Sequence, residues 1–264
     1  MIVTLLTDFG TADYFVGAMK GVIFSAAAGA TVVDITHEVP PQDVRAGAFT
    51  LLAAYGAFPP GTVHVAVVDP GVGSARRAIA AEAGGHRFVG PDNGLLSWLL
   101  ERAGDARVAH LDRERFFRHP VSRTFHGRDV FAPVGAALAA GAALEEVGTE
   151  IADWVRLDPL RPARDDDGGL RGTVLHVDRF GNVVTPFTRD ELPYEALAPG
   201  ARIGIGGREV RSIRRFYAEG ASAPGEPFGI WGSAGFLEVS VFRGSAARLL
   251  GVAPGDPVTL AFGV

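Results

Sequence analysis

Short apolar runs alternate, along the first half of the chain, with stretches whose apolar residues recur at helical spacing. Ile2–Leu6, Thr31–Ile35 and Val63–Val68 are brief and rich in β-branched side chains, the pattern of buried strands. Between the first two, Val16, Met19, Ile23 and Phe24 fall on one helical face from about Tyr14, with Thr11 or Asp13 as a cap. Asp43 caps a second helix running to about Ala57. This β-α-β-α-β order predicts right-handed crossovers and a mostly parallel sheet. Ala78–Glu82 and Arg87–Val89 read as a hairpin across Gly84-Gly85, followed by a helix Leu95–Arg102 and a strand Arg107–Leu111. An alanine-rich helix with Asp129 as N-cap runs to about Ala140.

Beyond Gly169 the rhythm changes to short alternating runs separated by turn formers: Gly172–Val177, Asn182–Thr185, Ala201–Ile205, Glu209–Ile213, Phe228–Trp231, Phe236–Val241 and Pro257–Phe262. That pattern predicts an all-β region, a small barrel or a sandwich. Asp158–Gly169, polar, rich in proline and glycine and carrying three successive aspartates, reads as a linker. The expectation is an α/β chain: an N-terminal domain over 1–157 built on a mostly parallel sheet with flanking helices, a linker over 158–169, and a C-terminal β domain over 170–264.

Composition narrows the chemistry. A formal net charge of −5 argues against a general nucleic-acid binder, which needs a basic footprint. With no cysteine, disulfides, thiolate metal sites and thiol nucleophiles are excluded, and a reducing, cytoplasmic compartment fits. Met1–Leu6 lacks the basic start of a signal peptide, and no apolar run has the length of a membrane span. Lys20 is the only lysine, and Ala18-Met19 rather than glycine precedes it, so a phosphate-binding P-loop is excluded.

The chemistry-bearing residues sit where strands end. Asp8 follows the first strand and Asp69 the third. Asp69 opens the loop Asp69-Pro70-Gly71-Val72-Gly73-Ser74-Ala75-Arg76-Arg77, in which proline stops the strand and the glycines permit tight turns or close ligand approach. The carboxyl lip of an open α/β sheet is where ligands bind. A plain surface Asp–Arg pair accounts for this stretch equally well, and helix capping alone accounts for Asp13. Neither Gly71-Val72-Gly73 nor Gly204-Ile205-Gly206-Gly207 completes a dinucleotide fingerprint before a helix. Asp8, Asp69, Asp92, His126 and Asp129 also leave open a hydrolase with two metals.

Six segments in order carry a resemblance: Leu6-Thr7-Asp8-Phe9-Gly10 with Asp13; Asp34-Ile35-Thr36-His37; Val68-Asp69-Pro70-Gly71-Val72-Gly73 with Arg76; Pro91-Asp92-Asn93-Gly94; Thr124-Phe125-His126-Gly127-Arg128-Asp129; and Asp178-Arg179-Phe180-Gly181-Asn182. Together they resemble the S-adenosylmethionine (SAM) hydroxide adenosyltransferases, SAM hydrolases related to fluorinases and chlorinases. The resemblance implies a homotrimer holding SAM between the N-terminal domain of one subunit and the C-terminal domain of its neighbour. It also implies hydrolysis to adenosine and L-methionine, with SAM as substrate and no metal or cofactor. By position, Asp69, Arg76 and His126 would be the catalytic set, with Arg77 as the alternative arginine and either His126 or Asp69 as base. Asp8 would bind the ribose hydroxyls and Asp13 would lie near the methionine amine, with Phe125 among the substrate contacts. Asp178 and Ser233 would hold the methionine end, Phe180 would pack on adenine, Asn182 would read its edge, and backbone around Arg243 would assist. Asp69, Val72, His126 and Gly127 replace the hydroxyl-bearing residues of the fluorinases, which points to water rather than halide as nucleophile. Ala234 and Phe242 depart from the fluorinase arginine and the common family asparagine. The readings from other classes are a metal-dependent hydrolase using the same carboxylates and a SAM- or adenosine-binding module with little turnover.

Overall fold

A computed structural model describes residues 1–189, 192, 197, 200–219 and 225–262, which form two compact units, Met1–Asp158 and Pro159–Val264. In the first, the chain runs β1 (Ile2–Thr7), α1 (Phe15–Ala26), β2 (Thr31–Thr36), α2 (Val44–Ala54), β3 (Val63–Val67), β4 (Ala78–Ala83), β5 (His86–Pro91), α3 (Ser97–Ala103), β6 (Arg107–His110), α4 (Ala132–Ala139), α5 (Leu144–Val147) and β7 (Thr149–Ile151). They build a seven-stranded sheet in the order β2-β1-β3-β5-β4-β6-β7. The β2-β1-β3-β5 half is parallel, as the alternating strand–helix pattern predicts. The hairpin β4–β5 then reverses direction, and the remaining pairs are antiparallel.

The inner parallel strands β1 and β3 are buried on both faces, whereas the edge strand β2 is not, and Val3, Leu5, Val63, Val65, Val89, Met19 and Phe131 share one core. Asp43 caps α2 by accepting the Ala46 N–H at 2.9 Å. At α1 neither Thr11 nor Asp13 caps: Tyr14 is the boundary residue and no side chain bonds its first turn. Asp129 does not cap the alanine-rich helix either. It lies inside a π-helical turn, Gly127–Phe131, that precedes α4, and it is fully buried. Its carboxylate is consumed by Ser122 N–H (2.9 Å), Arg118 (3.2 Å) and Arg128 (2.7 Å), all polar partners that a capping role would have left elsewhere. Such π turns recur at functional sites, and this one begins directly after His126.

The second unit comprises β8 (Ala163–Arg164), β9 (Leu170–Thr173), β10 (His176–Val177), β11 (Val183–Thr188), β12 (Arg202–Ile205), β13 (Arg208–Val210), β14 (Ile213–Arg214), β15 (Pro227–Trp231), β16 (Phe236–Val241), α6 (Ala246–Leu250) and β17 (Pro257–Ala261). Two five-stranded sheets, β10-β11-β16-β15-β14 and β13-β12-β17-β9-β8, share one core through Val183, Phe187, Leu237 and Val239 from the first and Ile203, Ile205, Val258 and Leu260 from the second. Among the described residues this is a sandwich with one short helix, α6, which Ser245 caps through the Arg248 N–H at 3.2 Å. Part of the expected linker is ordered structure: Ala163–Arg164 pairs with β9, and the Asp165 N–H reaches the Gly169 carbonyl at 3.0 Å to close the turn. A two-residue strand beside an aspartate run carries no alternation from which to read it.

Candidate active site

The sheet register gathers the site. Thr7 pairs with Val67 across β1 and β3, and Leu6 with Thr36 across β1 and β2, so Asp8, Asp69 and His37 leave adjacent strands at one edge. Neighbouring strands lie about 4.8 Å apart. Asn93 supports this edge by donating its amide to the Val68 carbonyl at 2.8 Å. The loop after Asp69 is tied down by Gly73, whose φ of +76° suits glycine and which packs against the Arg123 carbonyl with no room for a Cβ. That contact presses the loop against the segment leading to His126.

Here Arg76 grips Asp69 with two parallel bonds, Nε to Oδ1 at 2.9 Å and Nη2 to Oδ2 at 2.5 Å. The same Nη2 lies 2.7 Å from Nδ1 of His126. The two ion-paired side chains are almost withdrawn from water, at 10% and 5% exposure, and Arg76 lies over the Phe131 ring at 5.3 Å. A guanidinium can only donate, so Nδ1 of His126 accepts and the neutral ring carries its proton on Nε2. Burial, then the Arg76 charge, depress the His126 pKa, while Asp69 and Asp129 pull it back. A cavity of about 290 Å³, lined in part by Arg76, His126, His110 and Glu114, reaches the pair from one side.

Arg77, the alternative arginine, turns away. Its Nε binds Asp92 at 2.9 Å and its Nη1 binds Asp153 at 2.8 Å. Asp92 also accepts the Val155 N–H at 2.8 Å, so it staples the end of the first unit rather than facing the Asp69 cluster. Asp92 and Asp129, counted above as possible metal ligands, are thus each neutralised by arginine. Among the described residues no group of three or more His, Asp or Glu side chains is arranged to hold a metal ion.

Asp8 accepts the Gln42 N–H at 2.8 Å, and Gln42 adopts a left-handed backbone, φ +67°, to supply it. Asp13 is exposed. Phe125 is 6% exposed and closes an aromatic corner with Phe9 and Phe15, at ring distances of 6.0 and 5.1 Å. Gly127 sits tightly beneath, against Met19, Phe125 and Phe9.

In the second unit, Asp178 organises its own loop: Oδ1 accepts the N–H groups of Phe180 and Asn182, and Oδ2 accepts the Asn182 amide, each at 2.8 Å. This leaves Phe180 standing into solvent at 76% exposure, a large apolar ring with no intramolecular burial, while Asn182 is buried. Ser233 is exposed on the turn before β16, and Arg243 has a left-handed backbone with its guanidinium over Phe242 at 5.2 Å. Beside that turn sits Glu238, which sequence reading passed over because it alternates within a strand. Its carboxyl packs on Gly232 and meets the Tyr217 hydroxyl at 3.3 Å, and burial, then the nearby Asp178, push its pKa up.

Strand-end carboxylates on a parallel sheet, one of them in an Asp–Arg–His cluster, together with a β-sandwich that presents a bare aromatic loop, define a small-molecule enzyme of two-part plan. The N-terminal domain of the SAM hydroxide adenosyltransferases matches residues 3–148 and their C-terminal domain matches 172–259, and the chain belongs to that family. It is 43% identical to the (R)-S-adenosyl-L-methionine hydrolase of Thermus thermophilus over 266 aligned residues, covering 98% of each chain. A fluorinase of Actinoplanes sp. is 31% identical over 72% of this chain and 73% of its own. The crystal structure of an uncharacterized conserved protein from Thermotoga maritima superposes with a TM-score of 0.90 at 37% identity, covering 99% of this chain and all of that one.

Proposed function

We propose that this chain hydrolyses SAM to adenosine and L-methionine by in-line attack of water on the ribose 5′ carbon. The observation that carries the reading is the Asp69–Arg76–His126 cluster, present as a bonded unit in a chain with full-length similarity to SAM hydrolases. In the reaction the water oxygen bonds to C5′, the C5′–S bond breaks, and its electron pair neutralises the sulfonium. Methionine leaves as a neutral thioether, so no acid is needed at sulfur. What remains is to hold water on the line opposite the C–S bond and to remove one proton, which proximity and general-base catalysis supply.

The bond directions divide these tasks. His126 has its Nδ1 lone pair occupied by Arg76, so it offers Nε2–H as a donor that holds the water oxygen. Asp69 accepts one N–H on each oxygen and keeps further lone pairs for the departing proton. Asp69 is therefore the base in this reading, Arg76 fixes both partners, and the Arg76 charge favours hydroxide character as the C–O bond forms. Asp8 takes the ribose hydroxyls, with Asp13 near the methionine amine and Phe125 backing the pocket. Asp178 and Ser233 take the methionine end, Phe180 covers adenine, and Asn182 and the backbone at Arg243 address its edge. No metal or cofactor takes part. The working assembly is a homotrimer with shared sites, and the cysteine-free chain is assigned to the cytoplasm. Nucleic acid and membrane are not partners.

Incubation of the purified chain with SAM, followed by chromatography of adenosine and methionine, tests this directly. Adenosine release is expected to persist in chelator, to produce no halogenated nucleoside in fluoride or chloride, and to disappear in Asp69→Ala and His126→Ala. Wild-type protein releasing no adenosine above the blank would sink the reading.

A further inference from the structure

One chain of polar contacts, running from the partly exposed Lys20 and Asp34 to the buried His37 and Thr7, has no part in the chemistry above. His37, 4% exposed, faces the Thr7 hydroxyl through Nδ1 at 2.9 Å. Its Nε2 lies 3.1 Å from Oδ1 of Asp34, poorly aligned for a hydrogen bond, so this contact is chiefly electrostatic. The other Asp34 oxygen takes Lys20 at 2.6 Å. Burial pushes the Asp34 carboxyl up, but Lys20 and His37 together outweigh it and hold the group ionised.

An ionised carboxylate attracts the N–H edge of an imidazole and repels its lone pair. The His37 proton therefore sits on Nε2 and its Nδ1 accepts. Thr7 must then donate its hydroxyl proton to His37, which frees its oxygen to accept the Phe9 N–H at 3.2 Å. The proton directions from Asp34 to Thr7 follow from that ionised carboxylate, which the chain's only lysine ion-pairs.

The same residues lace two loops together. His37 O accepts the Gly10 N–H at 2.7 Å, and Thr7 O accepts the Val39 N–H at 3.4 Å. Between these ties lies Asp8, aimed by the Gln42 N–H from its left-handed backbone. We infer that Lys20, Asp34, His37 and Thr7 form a positioning chain that fixes the Asp8 carboxylate, and so sets the preference of this site for a ribose bearing both hydroxyls. The inference rests on the proposed reading of Asp8 as the ribose-diol acceptor. None of the four residues touches substrate in it.

Calorimetric titration of the full chain with adenosine and with 2′-deoxyadenosine tests the chain without requiring turnover. The wild type is expected to prefer adenosine by about tenfold or more, the scale of a charge-assisted bond. Lys20→Met, at a partly exposed position, and Thr7→Val, which keeps the side-chain shape, should each cut that preference several-fold. Binding of 2′-deoxyadenosine should stay within about twofold. Asp8→Asn should abolish the preference, and adding Lys20→Met to it should change nothing further, as expected for residues acting through one group. Variants that melt earlier but keep the wild-type preference would show the chain to be structural only and overturn the inference. Wild-type protein that binds adenosine without hydrolysing SAM would overturn the hydrolase reading and leave this one standing. Failure to bind either nucleoside would overturn this inference, while the hydrolase reading stands or falls on adenosine release from SAM.

Discussion

Strand β3 carries a histidine cluster toward each end. Near its start, His64 takes Thr4 at 2.8 Å on one ring nitrogen and His86 at 3.1 Å on the other. Phe88 stacks on it at 5.1 Å, and Tyr55 and Phe58 stand edge-on at 6.4 and 5.6 Å. Burial, then the neighbouring His86, push its pKa down to about 3. Beyond the strand's other end, His126 is only half-buried and meets Arg76 at the same guanidinium nitrogen that also bonds Asp69. Both histidines are held neutral, for different reasons. At the closed end the aromatic wall excludes charge altogether. At the open end a permanent cation decides which nitrogen keeps its proton, leaving one edge of the ring to meet a ligand. Neutrality by exclusion gives a core polar pair; neutrality by a fixed donor gives a group with a defined hydrogen-bonding role.

The largest effect expected on this contrast is at the open end. Asp69→Asn preserves shape but removes the base, and kcat/KM for SAM should fall about 10²- to 10⁴-fold; retained activity would remove Asp69 from the chemistry. At the closed end the effect is on stability. A histidine whose folded pKa lies far below its unfolded value near 6.5 contributes fully above pH 6.5 and loses its contribution as pH falls toward 3. The slope is about 1.4 kcal/mol per pH unit for each such group. Urea midpoints at pH 7, 5.5 and 4.5 should therefore drop steeply for the wild type and less for His64→Phe. Equal slopes would mean that acid sensitivity resides elsewhere.

Arg77 belongs to neither cluster, and its removal separates fold from chemistry. Arg77→Ala leaves the buried Asp92 carboxylate with only the Val155 N–H, and should cost about 2 kcal/mol by denaturant titration. Activity should be preserved within a few-fold under conditions where the variant remains folded. The smallest expected effect is spectroscopic. In Arg76→Ala the His126 titration, followed by NMR, should move upward because the second largest cause of its depression is gone, while His64 should not move. An unmoved His126 would leave burial as the whole explanation.

One side of this contrast is legible in the sequence and the other is not: strand β3 and its stop are read directly, whereas the His64–His86 pair near its start is not. The run His64–Val68 announces a buried strand, and Asp-Pro followed by glycines announces where it stops. What linear order hides is pairing at a distance. Arg76 and His126 lie 50 positions apart, and nothing in either segment distinguishes Arg76 from Arg77 until the loop's path turns one inward and the other toward Asp153. Asp129 looks like a cap because it precedes an alanine-rich helix, yet three polar partners draw it into a π turn. Asp178 reads as a ligand residue, and its observed bonds shape the loop that projects Phe180. His37 stands in the Asp34-Ile35-Thr36-His37 segment, but its contacts depend on Thr7 and, through Asp34, on Lys20, which belong to other elements.

The pairing of Lys20 with Asp34 gives the chain a peculiar susceptibility to covalent labelling. Arginine supplies every other side-chain cation that is charged at all working pH values, so an acylating reagent directed at primary amines meets only the terminal amine and this one side chain. Acylation there removes the charge, releases Asp34, and reaches the strand end through His37. Because trypsin does not cut after an acylated lysine, the fraction of chain left joined across Lys20 up to Arg45 would report how far the population has been uncoupled from its lysine.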